Sequence, residues 1–126
     1  MAENNSKDSA QKFFTEGMHE FAKTRFNESI ELLTRAIDAD PNHTLAAVSR
    51  GAAYLKLDML DQARDDFDRT IKIDPDYARG YHMRGLVSEK RGDDHTALAD
   101  FDRAIALNPD YGAAYYSRAA LHAKMA

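Results

Sequence analysis

The stretch that decides the fold is residues 63–77, ARDDFDRTIKIDPDY, which residues 97–111 repeat as ALADFDRAIALNPDY. The two segments lie 34 residues apart and share an alanine, an Asp-Phe pair and a Pro-Asp-Tyr ending. Another Asp-Pro pair, Asp40-Pro41, lies one period upstream. Self-similarity at a fixed period of about 20 to 50 residues indicates an array of stacked structural units.

Further positions keep this register without insertion or deletion. One place in each unit holds glycine or alanine, a second holds a small residue followed by isoleucine, and a third holds leucine or phenylalanine. These positions are Gly17, Gly51, Gly85 and Ala119; Ala36, Thr70 and Ala104; Ile37, Ile71 and Ile105; and Leu33, Phe67 and Phe101. Three complete units and the first half of a fourth follow from this register.

Apolar residues within each unit recur at helical rather than strand spacing, for example at Ala97, Phe101 and Ala104. Each unit therefore contains two helices. The predicted helices are 8–23, 27–39, 44–57, 61–73, 78–91, 95–107 and 112–125. Asp58, Gly92 and Asp93 are expected in turns or as caps, and Asn27 and Asp61 are alternative N-caps.

The residue types at the repeated positions explain the helix pairing. A proline cannot continue a helix, so Pro41, Pro75 and Pro109 end the second helix of each unit. Glycine in the first helix lowers helix propensity by up to about 1 kcal/mol, but it allows close approach of the second helix. Phe67 and Phe101 are expected to fill the seam. The predicted fold is an all-α solenoid of stacked antiparallel helix pairs.

On these residues the chain resembles the tetratricopeptide repeat family, whose 34-residue helix-turn-helix unit has these small, aromatic and proline positions. The resemblance covers residues 10–126 and implies a right-handed superhelix of about seven helices. Its predicted domains are a disordered tail over 1–7 and a repeat domain over 8–126, with repeats 10–43, 44–77 and 78–111 and a capping helix 112–126. An alternative is that the chain is part of a longer array.

The amino-acid composition narrows the range of functions that the chain could have. The 126 residues have a net charge of -4 and no cysteine, which disfavours binding to nucleic acid phosphates and excludes disulfides and thiolate metal sites. The first ten residues lack the apolar core of a signal peptide, and no apolar run is long enough to span a membrane. We therefore expect a cytoplasmic protein without membrane insertion.

Two sets of polar residues are expected to be structural. Arg50, Arg84 and Arg118 recur at the repeat period, as do Asp66 and Asp100, and they are interpreted as a ladder of ion pairs between packed helices. The five histidines have no recognised metal-ligand spacing, and no nucleotide-binding glycine motif is present. We expect no enzymatic activity, no metal and no cofactor.

By the resemblance, first helices line a concave groove. The predicted peptide-binding residues are Phe14, Met18, Phe21, Val48, Leu55, Lys56, Arg79, His82, Leu86, Lys90, Tyr116 and Lys124. Lys56, Lys90 and Lys124 recur every 34 residues as a basic edge. The expected function is a protein-protein interaction module or scaffold that binds a short peptide with bulky apolar side chains and an acidic stretch or a terminal carboxylate. The alternative is a self-assembling, homo-oligomeric scaffold.

Some members of the family bind acidic chaperone tails through a clamp of lysine, asparagine and arginine. The matching positions here are Phe14, Met18, Ser49, Arg79 and Met83, of which only Arg79 fits. The resemblance therefore predicts no clamp of that kind, although a carboxylate could be held differently.

Overall fold

The computed structural model describes residues 2–126, with side chains from Asn5 onward, and the regular structure in that part of the chain is helical throughout. Seven helices follow one another: α1 (Ala2–Ala22), α2 (Phe26–Ala39), α3 (Thr44–Lys56), α4 (Leu60–Ile73), α5 (Ala78–Lys90), α6 (Asp94–Leu107) and α7 (Gly112–Met125). From α2 onward each boundary lies within one residue of its prediction. The repeat register therefore fixes the helix ends as well as their number.

Helix α1 begins at Ala2, so residues 2–7 are helical where a disordered tail was predicted; residue 1 lies outside the described part. No glycine or proline interrupts this segment, so the helix can extend upstream of its packed portion. Residues 5–9 are exposed, and Ala10 is the first buried side chain described. Packing against the rest of the domain thus starts at Ala10.

Two predicted N-caps were wrong. Asn27 and Asp61 are each the second residue of their helix, α2 and α4, and the N-cap positions are Arg25 and Met59, without a side-chain cap. Asp93 does cap α6, where its carboxylate accepts a backbone N–H at 3.4 Å. The caps are missing because Arg25 and Met59 have no side-chain oxygen that could accept a backbone N–H, whereas Asp93 at the same repeat position has one.

The turn inside each hairpin has the same backbone conformation. Thr24, Asp58 and Gly92 occupy one repeat position, and their φ angles are 60°, 59° and 81°. Glycine adopts this left-handed region freely and aspartate tolerates it, but a β-branched residue is strained there. The first turn therefore contains a residue that its conformation disfavours.

Replacing Thr24 with asparagine is expected to raise the free energy of unfolding by about 0.5 to 1 kcal/mol, because asparagine tolerates positive φ. Urea denaturation of the two proteins measures the change. Thr15→Asn is the matched control, since Thr15 lies within α1. Threonine and asparagine have similar helix propensity, so this substitution should change stability little. An equal effect of both substitutions would contradict backbone strain at Thr24.

A fully buried side chain of each second helix fits against the glycine of the first helix. The pairs are Leu33 with Gly17, Phe67 with Gly51, and Phe101 with Gly85. A β-carbon on the three glycines would lie 2.9, 2.5 and 2.6 Å from the opposing side chain, closer than carbon atoms normally approach. The predicted small-residue seam is confirmed, and in the first hairpin Leu33 takes the place of the aromatic ring.

The predicted ladder of ion pairs is confirmed in the second and third units. Arg50 donates from Nε and Nη2 to the two carboxylate oxygens of Asp66 at 2.8 and 2.7 Å, and Arg84 repeats this with Asp100 at 2.9 Å for both bonds. Asp66 is 3% and Asp100 is 6% exposed. The hydrogen bonds to Asp66 and Asp100 raise the pKa of Arg50 and Arg84, respectively. The buried carboxylates are therefore satisfied by bidentate partners.

The hairpins stack in chain order. Helix α2 packs on α3, α4 on α5 and α6 on α7, and the first helices α1, α3 and α5 also contact one another in sequence. Each unit thus buries its faces against its neighbours, as expected for a solenoid.

Candidate functional site

An open pocket of ≈ 410 Å³ joins three of the first helices, and we call it the groove pocket. Leu55 from α3 and Leu86 from α5 contribute its apolar surface, and Glu89, Lys90 and Lys124 contribute its charged rim. Leu55, Leu86, Lys90 and Lys124 are among the groove residues that the resemblance implied. Their convergence gives apolar side chains and ammonium groups within reach of one short ligand.

The two lysines of the groove pocket each face an aspartate. The Nζ atom of Lys90 lies 3.9 Å from Oδ1 of Asp58, and that of Lys124 lies 3.2 Å from Oδ1 of Asp94. The lysine side chains are 53% and 50% exposed, and ion pairs at such exposure contribute about 0 to 1 kcal/mol. Both ammonium groups can therefore exchange their partner for a ligand carboxylate.

These aspartates are the part of the site that sequence reasoning missed. Asp58 and Asp94 lie in different repeat positions, so the 34-residue register contains no signal for them. They reduce the net positive charge of the predicted basic edge. Lys56, the remaining lysine of that edge, is exposed.

The aromatic residues predicted at the N-terminal end of the groove are half-buried. Phe14 packs against the ring of His43, with centroids 4.9 Å apart, and Phe21 meets Phe26 edge to face at 5.2 Å. Met18 lies between them on α1 and is also half-buried. Each side chain keeps a partly accessible surface, so this end is apolar but already partly packed.

Val48 does not belong to the accessible surface. It is 0% exposed and lies in a core cluster with Ala63, Phe67 and Val87. Its repeat position was assigned to the groove, but packing between the second and third units covers it. Val48 supports the groove from beneath and cannot contact a ligand in this conformation.

His82 is also buried, at 6% exposure. Its Nδ1 lies 2.9 Å from the hydroxyl of Tyr111, and its Nε2 lies 2.9 Å from Oγ of Ser117. Burial lowers the pKa of His82, and the charge of Arg79 lowers it further. The imidazole links the last two units as a structural group, in place of the predicted ligand contact.

The remaining predicted residues are exposed. Arg79 lies at a second open pocket of ≈ 360 Å³, beside Asp76 and Tyr111. Tyr116 is 78% exposed, the highest value for a large apolar side chain in the described part of the chain. Both residues lie outside the groove pocket, Arg79 near the start of α5 and Tyr116 on α7.

A pocket larger than the groove pocket lies elsewhere, and its volume is ≈ 590 Å³. It is lined by α4 and by the turn between α2 and α3, including Asp65, Asp68, Arg69 and Lys72. Nη2 of Arg69 already donates to the carbonyl of Pro41. The pocket lies between the first and second units, and its lining combines the cations Arg69 and Lys72 with the carboxylates of Asp65 and Asp68 and with apolar Pro41 and Ile73.

Two further properties concern ligands and membranes. Within residues 2–126, no group of three or more histidine or carboxylate side chains is arranged to hold a metal ion. No helix in the same range is both long and apolar enough to cross a membrane.

The fold and this surface define an all-α solenoid of stacked helical hairpins with a mixed apolar and basic face on its first helices. Two family models, both described as tetratricopeptide repeat, match the chain over residues 14–78 and 78–111. The first match alone spans more than half of the chain. The chain belongs to the tetratricopeptide repeat family.

Solved structures of tetratricopeptide repeat domains have the same architecture. The Arabidopsis OM64 domain is 24% identical with a TM-score of 0.91, covering 94% of this chain and 98% of that chain. The second domain of Spaghetti (RPAP3), bound to the HSP90 peptide SRMEEVD, is 28% identical with a TM-score of 0.81 and coverages of 85% and 98%. The second domain of human RPAP3, in complex with the HSP70 peptide SGPTIEEVD, is 25% identical with a TM-score of 0.84 and coverages of 95% and 98%. No curated protein matches the chain.

Proposed function

We propose that this protein is a non-enzymatic interaction module that binds a short peptide of a partner protein along the face formed by its first helices. The observation that carries the proposal is the groove pocket, where Leu55 and Leu86 lie beside Lys90 and Lys124. Apolar burial would supply affinity, and the ammonium groups would orient the peptide and speed its encounter.

The chemistry of the surface specifies the peptide. The apolar part of the face suits one or two bulky side chains, and the lysine edge suits an acidic stretch or a terminal carboxylate. Lys56 is exposed on α3, next to Leu55 of the pocket, which extends the cationic edge. The expected ligand therefore carries an apolar residue close to a carboxylate.

Related domains support a peptide as the ligand, since those of Spaghetti and human RPAP3 are bound to SRMEEVD and SGPTIEEVD. This chain has only Arg79 of the family's carboxylate clamp, and apolar Phe14, Met18 and Met83 occupy three of the other positions. We expect it to prefer peptides with more apolar contact than those two tails provide.

A binding screen of short synthetic peptides that includes both tails tests the proposal. We expect selected peptides to combine a bulky apolar residue with nearby carboxylates. Lys90→Glu should weaken the best peptide about tenfold, because it places a like charge beside the ligand carboxylate. The matched control is Lys72→Glu on α4, an exposed second-helix lysine outside the groove, which should leave affinity unchanged. Equal affinity of both variants for the selected peptide would reject the groove as the binding site.

A further inference from the structure

The second unit lacks the aromatic ring that the other units carry at one position of their first helix. Phe13, Tyr81 and Tyr115 occupy this repeat position, and Ala47 occupies it in the second unit. Ala47 is fully buried, so neighbouring groups close over its small side chain. The second unit therefore packs this position in a way of its own.

The third unit shows which groups hold a ring at this position. The hydroxyl of Tyr81 donates to the carbonyl oxygen of Pro75 at 2.9 Å. The guanidinium carbon of Arg103 lies 5.7 Å from the centroid of the Tyr81 ring, and Arg35 lies 5.8 Å from that of Phe13 in the first unit. A proline carbonyl and an arginine of the second helix thus bind a phenol ring together.

In the second unit the corresponding groups are Pro41 and Arg69, and both line the pocket of ≈ 590 Å³, which we call the Arg69 cleft. In place of a ring, they bond to each other, since Nη2 of Arg69 donates to the carbonyl oxygen of Pro41 at 3.2 Å. Nε of Arg69 is buried and has no hydrogen-bond partner in the described part of the chain. A buried N–H without an acceptor is costly, so the guanidinium is incompletely satisfied where it lies.

The lining of the Arg69 cleft favours a neutral ligand. The cations Arg69 and Lys72 are matched in number by the carboxylates of Asp65 and Asp68, so the cleft has no formal net charge that would select an ion. Ile73 adds aliphatic surface against which a ring can pack. The volume lies within the range of roughly 300 to 1,000 Å³ that is usual for small-ligand pockets.

We infer that the Arg69 cleft is a second binding site, which takes one neutral phenol ring. The ligand hydroxyl donates to the carbonyl oxygen of Pro41 in place of Arg69, and the released guanidinium lies over the ring. The ligand then makes the two contacts that hold Tyr81 in the third unit. The cleft shares no lining residue with the groove pocket, so this inference does not rest on the proposed peptide binding.

A phenol ring has two sources, a small phenolic compound and a tyrosine side chain of a partner protein. The two probes are therefore p-cresol and the capped tripeptide N-acetyl-Gly-Tyr-Gly-amide. NMR titration of the whole isotope-labelled chain should show saturable shifts at the lining of the Arg69 cleft, with an affinity of about 1 mM for so small a ligand as p-cresol. Tighter binding of the tripeptide assigns the site to a tyrosine, and tighter binding of p-cresol assigns it to a small molecule. Saturation by neither probe overturns the inference.

Ala47→Tyr supplies the missing ring from within the chain. Its hydroxyl and ring should take up Pro41 and Arg69, so the variant should lose binding of both probes. The matched control is Ala120→Tyr, which adds the same ring at an exposed position of α7 and should bind as the wild-type chain does. Wild-type affinity in a folded Ala47→Tyr variant would overturn the inference.

A change in the ligand gives a second test that does not depend on the folding of a variant. The methyl ether of p-cresol keeps the ring but has no hydroxyl to donate to Pro41, so it should bind the wild-type chain about fivefold more weakly. Equal affinity of p-cresol and its ether would contradict the proposed site. Lys90→Glu, which alters the groove pocket, should leave p-cresol binding unchanged, so failure of the groove proposal and failure of this one are distinguishable.

Discussion

Replacing Arg50 with methionine is expected to lower the free energy of unfolding by about 3 to 5 kcal/mol, because it leaves Asp66 buried without its cation. Asp66 is 3% exposed and receives two hydrogen bonds from Arg50. A domain of this size has a total stability of about 5 to 15 kcal/mol, so the loss is a large share of it. Urea denaturation followed by circular dichroism measures the change.

Arg118→Met is the matched control, since Arg118 occupies the same repeat position. Its partner Asp102 has a side chain that is 55% exposed, and losing an exposed pair changes stability by at most about 1 kcal/mol. The double variant Arg50→Met with Asp66→Leu should recover most of the loss, because both charges are then removed. Similar losses of stability in the two single variants would show that the burial of an ion pair in the ladder does not determine how much it contributes to stability.

Replacing Gly85 with valine is expected to destabilise the chain by about 3 kcal/mol, because the added carbons overpack the seam. A β-carbon at this position would lie 2.6 Å from a ring carbon of Phe101 and 3.2 Å from the carbonyl oxygen of Ala97. The ring is fully buried, so a shift of the ring would have to displace the side chains packed around it. Thermal and urea unfolding of the variant measure the loss.

Gly112 provides the control within the same chain. Apart from adjacent residues and the helix's own backbone, no atom lies within 4 Å of a β-carbon built there, and the residue is the first of α7. Gly112→Ala should leave stability unchanged or raise it by up to about 1 kcal/mol through helix propensity. If Gly85→Val were tolerated equally well, the close approach of α5 and α6 would not be needed for the fold.

The repeat register predicted most of the fold because its signals are local. A proline or a glycine in one repeat position has the same backbone consequence in every unit, so helix ends and the seam followed directly from residue types. The start of α1 was not predictable in this way. Residues 2–7 contain neither a repeat signal nor a helix breaker, and helix and coil are then close in free energy.

The register was less informative about the site. It assigns each residue to a face of its helix but does not give the depth at which the side chain lies. Val48 and His82 were therefore placed in the groove. In the structure Val48 packs against Val87, and His82 contacts Tyr111. The pairing of Lys90 with Asp58 depends on the packing of different units, which no single repeat position encodes.

The proposed function requires that a peptide bind on the face formed by the first helices. The most direct measurement is the crystal structure of the chain with the peptide selected in the binding screen. We predict an apolar peptide side chain against Leu55 and Leu86, with a peptide carboxylate within hydrogen-bond distance of Nζ of Lys90 or Lys124. A peptide seated on the second helices, for example in the cleft beside Arg69, would contradict the account.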